Sequence, residues 1–175
     1  HTSFLEALES HRVASGAGSS MGEISSSEAD GFRNLREKLQ ATQMIGPEGI
    51  EHDPYGPNAI TAPLLAVVSQ NAQPITGAKT GDRVGLVIAS TPFYVDSGGQ
   101  VNDTGSIAAS DGSWEVYVTE VARPVTGLLV HIGEVRCGSP READQAIAAV
   151  DSDRRRDTMR NHTATHLLHR ELRNL

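Results

Sequence analysis

The residue types best suited to chemistry in this 175-residue chain stand near its C-terminal end, in the run Asn161-His162-Thr163-Ala164-Thr165-His166. Two imidazoles at i and i+4 lie one above the other on a helix, close enough to share one metal ion, and neutral imidazole is a good zinc ligand. Solvated surface histidines are the plainer reading of the same spacing. The zinc-peptidase motif is excluded, because it places Glu after the first His as general base and Thr163 stands there instead. A second constellation runs Thr91-Pro92-Phe93-Tyr94-Val95-Asp96-Ser97-Gly98-Gly99-Gln100-Val101-Asn102-Asp103-Thr104-Gly105. Its adjacent glycines let backbone approach a ligand closely, and Gln100, Asp103 and Thr104 crowd hydrogen-bonding groups into one loop. The plainer reading is a polar loop between two strands. It is not a P-loop, since no Gly-Lys-Ser/Thr follows.

Charge supplies the third signal. Residues 154–173 hold six arginines and two acids, a net +4, whereas the whole chain carries −7, which leaves −11 for the remainder. Local positive potential attracts phosphate regardless of net charge, so an anionic partner is expected at Arg154, Arg155, Arg156 and Arg160. A solvated helix face accounts for the same residues without a partner.

The elements that must position these groups follow from periodicity. Residues 152–175 lack Gly and Pro and open with acids that suit a helix dipole, which predicts a helix. At 100° per residue it places Ala164, Leu168, Leu172 and Leu175 on one side and His162, His166 and His169 on another. From residue 64 onward, short Val-, Ile- and Thr-rich runs bounded by turn residues predict strands at about 64–70, 83–89, 105–109, 114–121 and 127–135. Asp111-Gly112 is a hairpin signal, and Trp114, Val116 and Val118 alternate with Glu115, Tyr117 and Thr119 as a half-buried strand requires. Trp114 and Tyr117 are read as sheet packing, and His131, inside a Val/Ile run, as a hydrogen-bonded structural histidine. Strands at this spacing make a small barrel or sandwich. Upstream, Phe32, Leu35 and Leu39 recur at helical spacing from a capping signal near Ser27 to a stop at Gly46-Pro47. A short helix is expected over residues 2–8, a Gly/Ser-rich linker over 15–27, and a boundary in the proline- and glycine-rich stretch 46–63.

Composition narrows the class further. A hydrophobic content of 38% with 17 glycines excludes wholesale disorder, and 4% aromatics makes a base-stacking platform hard to assemble. The single cysteine, Cys137, excludes an intrachain disulfide framework and a Cys-rich zinc finger, and the default compartment is reducing. No apolar run approaches the roughly 20 residues that span a bilayer, and no secretory signal opens the chain, so a cytoplasmic protein without a membrane partner is expected. The chain opens at His1 and stops within a helix-favouring run, and on that ground is expected to be an internal fragment.

Taken in register, Thr91 to Gly105, Leu129-Val130-His131-Ile132-Gly133-Glu134 and Met159 to Leu168 closely resemble the editing region of the alanyl-tRNA synthetase family. The resemblance runs from about Tyr55 to the end and is only loose over residues 1–54. It implies an α+β fold: a small β-barrel similar to domain two of elongation factor Tu, flanked by an N-terminal helical segment and by a C-terminal helix that begins the editing subdomain. The implied division is 1–54 helical linker, 55–151 barrel and 152–175 first helix of a truncated editing subdomain. Over residues 140–150 the local signals, Ser139-Pro140 as cap and abundant alanine, favour a helix, while the resemblance favours a strand at 145–150, which is the reading adopted.

The function implied is hydrolysis of serine or glycine wrongly esterified to tRNA(Ala). His162 and His166 correspond to two ligands of the family's zinc; its later Cys and His have no counterpart here, Cys137 lying on the barrel side, so the zinc site of the parent is incomplete in this chain. Gln100 is expected beside the site, Thr104 is a candidate partner for the serine hydroxyl, and Arg154, Arg155, Arg156 and Arg160 are expected on tRNA phosphates. The parent would ligate alanine to tRNA with ATP and magnesium, neither bound by this fragment, because residues 1–54 carry no class II active-site motif. The fragment is expected to be inactive alone and to need the remainder of its polypeptide. The alternatives are a non-catalytic tRNA-contacting or structural barrel and a stand-alone trans-editing deacylase.

Overall fold

A computed structural model describes residues 26–69, 72–95 and 101–173. The helix expected over 2–8, most of the linker, Gln100 and Leu175 lie outside the described residues. In chain order the elements are α1 (Ser26–Ala41), β1 (Glu51–His52), β2 (Ala59–Val68), β3 (Arg83–Ile88), β4 (Ser90–Thr91), β5 (Gly105–Ala109), β6 (Glu115–Val125), β7 (Leu128–Cys137), β8 (Gln145–Val150) and α2 (Ser152–Arg173). Six strands close a barrel in the order β2-β3-β7-β6-β5-β8, every neighbour antiparallel. The fold is α+β, a closed barrel with flanking helices.

The barrel interior is filled by Leu64, Val84, Leu86, Ile88, Ile107, Trp114, Val116, Val118 and their neighbours, all buried. The alternation read in residues 114–119 holds: Trp114, Val116 and Val118 point inward while Glu115 and Tyr117 are half-buried and Thr119 exposed. Strand β3 is buried on both faces, because its outward Val87 belongs to a second cluster with Phe32 and Leu39 of α1, Ile45 and Ile50. Helix α1 is therefore packed onto the barrel, and residues on both sides of position 54 share one apolar core.

Two elements differ from expectation for identifiable reasons, and a third settles the conflict over residues 140–150 in favour of the strand. Helix α1 ends at Ala41 rather than at Gly46-Pro47, because Gln43 takes a left-handed φ of 58° and the Met44 N–H turns back to Leu39 O at 2.9 Å. Strand β2 begins five residues before Leu64 and contains Pro63; it pairs with β8 over 59–63 and with β3 from Leu64 on, so the proline sits where the strand changes partner, followed by a bulge between Leu64 and Ala66. Residues 145–150 are a strand. The Ser139 cap signal is overridden because Ala143 adopts φ 71°, its N–H bonds Leu64 O at 2.8 Å, and Trp114 Nε1 donates to Asp144 Oδ2 at 2.8 Å.

Candidate functional site

The glycine-rich motif and the first turn of the helix that carries the histidines meet at one end of the barrel. Strand β8 leaves it at Val150, whose partner on β5 is Gly105, the last residue of the glycine-rich motif. A Cβ on Gly105 would lie 2.1 Å from Ala149 O, so only glycine lets β5 and β8 pair here. Asp151 then donates its N–H to Thr104 O at 2.8 Å, and its Oδ1 accepts the N–H groups of Asp153 and Arg154 at 3.2 and 3.0 Å, capping α2. Asn58 Nδ2 donates to Ser152 Oγ at 2.9 Å.

Arg155 is the centre of this junction. Its Nε donates to Asp103 Oδ2 at 3.0 Å and its Nη2 to the same oxygen. Nη2 also reaches Pro92 O at 2.6 Å, and Nη1 reaches Pro54 O at 3.2 Å and Asn58 Oδ1 at 3.0 Å. The Asp103 carboxylate in turn accepts the Tyr94 N–H at 2.6 Å. With side chains 11% and 6% exposed, Arg155 and Asp103 form a buried ion pair joining α2 to both flanks of the glycine-rich loop. The expectation that Arg155 contacts phosphate is corrected on this ground: its fork is spent on protein acceptors.

The other three arginines differ. Arg154, Arg156 and Arg160 are exposed. Arg156 pairs with Asp153 and Arg160 with Asp157 at 3.5 Å, both i,i+3 surface pairs of the kind worth under about 1 kcal/mol and open to displacement by phosphate. The Arg154 guanidinium has no partner among the described residues. Arg156, Arg160, Met159, Asn58 and Ser152 border an open groove of about 640 Å³ along α2.

Helix α2 stands out from the barrel with no buried residue. Its leucines are exposed, Leu168 at 62% and Leu172 at 58%. His162 and His166 lie 7 and 11 residues beyond Arg155, which at 100° and 1.5 Å per residue puts both within about 20° of its direction and roughly 10 and 16 Å further along the axis. The pair thus shares the helix face that Arg155 turns toward Asp103 and Pro92. The two rings are edge to face with Nε2 atoms 2.9 Å apart, one donating to the other. Two zinc-bound imidazoles, each about 2.05 Å from the metal in tetrahedral geometry, hold their nitrogens about 3.3 Å apart, so a small opening of the pair admits the ion. No third His, Cys, Asp or Glu groups with them among the described residues, so these side chains by themselves do not make a zinc site. Cys137 pairs with Glu115 where β6 and β7 meet, at the barrel end opposite α2.

Thr104 is 9% exposed, and its Oγ1 is buried with no hydrogen-bond partner among the described residues. Gln100, its expected companion, lies outside them. Beneath the loop, His131 is fully buried on β7. Its Nδ1–H donates to Leu86 O at 3.1 Å, leaving Nε2 to accept from Thr91 Oγ1 at 2.7 Å, and Thr91 Oγ1 accepts the Phe93 N–H at 3.3 Å. Burial pushes this imidazole down to about 4, the Leu86 carbonyl opposing and nearby His52 adding to the drop. The structural reading of His131 is therefore realised, and the loop's first residue hangs on it. Sequence reasoning missed the roles of Asp103 with Arg155 and of Thr91 with His131, because each pairing spans 40 or more positions.

Comparison with known proteins supplies the lineage. The sequence matches the family described as tRNA synthetases class II (A) over residues 3–154, reaching well into the part where the motif resemblance is loose. It is 42% identical over 142 residues to the alanine–tRNA ligase of Myxococcus xanthus, covering 81% of this chain and 15% of that protein. It is 39% identical over 142 residues to that of Pelotomaculum thermopropionicum, with the same coverage, and 50% identical over 101 residues to that of a Roseiflexus species, covering 58% of this chain and 11% of that protein. The chain thus spans about 15% of the length of the curated relatives it matches over most of its own length. With the family match covering most of its length and the three relatives all alanine–tRNA ligases, this chain belongs to the class II tRNA synthetase (A) family, as a region of an alanyl-tRNA synthetase.

Proposed function

We propose that this region belongs to the editing module of an alanyl-tRNA synthetase, which hydrolyses serine or glycine wrongly esterified to tRNA(Ala). The observation that supports the reading is the Arg155–Asp103 junction, which fastens the first turn of the histidine-bearing helix to a flank of the glycine-rich loop. The chemistry has a reason to exist. A pocket for alanine gains only about 1–3 kcal/mol against glycine, which lacks a methyl, or serine, which adds a hydroxyl, so fidelity calls for a second, hydrolytic site.

In the reaction a water attacks the ester carbonyl, the bond to the terminal ribose oxygen breaks, and that oxygen takes up a proton as the amino acid leaves. The chain's part is recognition and orientation. Thr104, a buried hydroxyl with no partner among the described residues, is the candidate for bonding the serine hydroxyl, and Gln100, outside those residues, is assigned to the same site from its motif alone. Arg154, Arg156 and Arg160, all exposed on α2 and the last two along its groove, are the candidate phosphate contacts of tRNA(Ala). His162 and His166 are assigned as two ligands of a zinc ion that would be completed by groups beyond the described residues. ATP, magnesium and alanine ligation belong to other parts of the parent.

A second reading, a non-catalytic tRNA-contacting barrel, is favoured for the isolated chain by the absence of a third metal ligand among the described residues. Deacylation of seryl-tRNA(Ala), followed with and without zinc, separates the two. The isolated chain is expected to give no turnover and the intact synthetase zinc-dependent turnover; failure of the intact synthetase to hydrolyse the ester would refute the editing assignment.

A further inference from the structure

The geometry points to Arg155 as a positioning residue: we propose that it locks the first turn of α2 to Asp103 and thereby sets the direction in which the His162–His166 pair stands relative to the barrel. The inference rests on the editing reading for its purpose, but not for its geometry. Among the described residues, α2 has no buried apolar residue, so apolar packing does not fix its direction. What fixes it is polar and local: the Asp151 cap, the Asn58–Ser152 bond and the Arg155 fork.

Of these, the fork alone reaches three separate segments, at Pro54 O, at Pro92 O and at Asp103. A guanidinium suits this task, because its donors lie in one rigid plane while an ammonium is a point charge on a flexible stem. The pair is nearly dry, so the geometry is not traded for water. A helix is stiff over a few turns, and whatever direction its first turn takes is carried about 10 to 16 Å out to the imidazoles.

The chain carries its own probes. His162 and His166 make the sole i,i+4 histidine pair, a chelate for copper(II)–nitrilotriacetate, and Cys137 is the sole cysteine, exposed at the far barrel end, where a nitroxide attaches. A His169→Gln background removes the neighbouring imidazole. Pulsed dipolar spectroscopy then reads the distance from the histidine pair to the barrel. One narrow peak is expected for Arg155, a broadened and shifted one for Arg155→Gln, and an intermediate width for Arg155→Lys. Because Arg155→Gln strands a buried carboxylate, the neutral double variant Asp103→Asn/Arg155→Gln is measured beside it, with Trp114 emission reporting the barrel. A peak of unchanged position and width in the double variant would overturn the proposal, whatever reaction the histidines serve.

The intact synthetase adds a readout that mere scaffolding does not move. Arg155→Lys is expected to lower kcat for seryl-tRNA(Ala) hydrolysis and leave KM in place. A raised KM with kcat intact would make Arg155 a tRNA contact and overturn the assignment. If the ester proves not to be the substrate, the distance result still stands on its own.

Discussion

At the scale of single residues, burial decides which polar groups serve the fold and which remain for a ligand. His131 belongs to the first kind. Its pKa falls from 6.5 to about 4, so above pH 6.5 it is neutral in both folded and unfolded chains and costs nothing. Between 6.5 and about 4 the unfolded chain takes up a proton that the folded one refuses, and stability drops by about 3 kcal/mol across that window. Denaturation followed by Trp114 emission is expected to record this loss, and His131→Gln to flatten it; an equally steep decline in the variant would contradict the account. Asp103 belongs with it, because removing Arg155 alone leaves an unpaired buried carboxylate and is expected to cost about 3–5 kcal/mol. The exposed Arg154, Arg156 and Arg160 are the second kind. Replacing all three with Gln is expected to leave the unfolding midpoint within a degree or two while lowering the salt dependence of tRNA binding by about 0.7–0.9 for each phosphate no longer neutralised. An unchanged salt slope would remove them from the tRNA interface.

At the scale of elements, what the sequence discloses is periodicity and what it hides is partnership. The inward set of β6 and the stripe of α1 are legible because alternation and helical spacing are local. The start of β2 is not, because Pro63 argues against a strand unless one knows that the strand changes neighbours there. Residues 140–150 mislead for the same reason: cap, proline and alanines all favour a helix, and the contradicting bonds to Leu64 and Trp114 come from residues 30 or more positions away. The glycine-rich motif reads as a ligand loop, yet its final glycine is a packing residue. Gly105→Ala would drive a Cβ into Ala149 O and is expected to destabilise the barrel by at least about 2–3 kcal/mol, visible as a lowered unfolding midpoint. At the other junction, Asp151→Ala removes the cap of α2 and is expected to cost about 1 kcal/mol, lowering helical circular dichroism while the barrel transition holds. Equal loss of both signals would mean that helix and barrel unfold as one.

At the scale of the whole molecule, a closed barrel with its own filled interior carries an exposed helix on which Leu168 and Leu172 are open and His162 and His166 pair with each other. Among the described residues no helix is long and apolar enough to cross a membrane. The two motifs could be found from sequence, since each is a contiguous run of distinctive residues, but the junction of the histidine-bearing helix with the glycine-rich motif could not, since it depends on the β5–β8 pairing and on one arginine crossing 52 positions to Asp103. On the editing reading proposed above, the His162–His166 pair, the buried Thr104 hydroxyl and the groove bordered by Arg156 and Arg160 serve one ester-cleaving locus. The most direct test is to give the intact synthetase His162→Ala and measure, side by side, hydrolysis of seryl-tRNA(Ala) and ligation of alanine. Loss of a metal ligand is expected to slow hydrolysis by about 100-fold or more and to leave ligation nearly untouched. Hydrolysis at the unmodified rate would contradict the account.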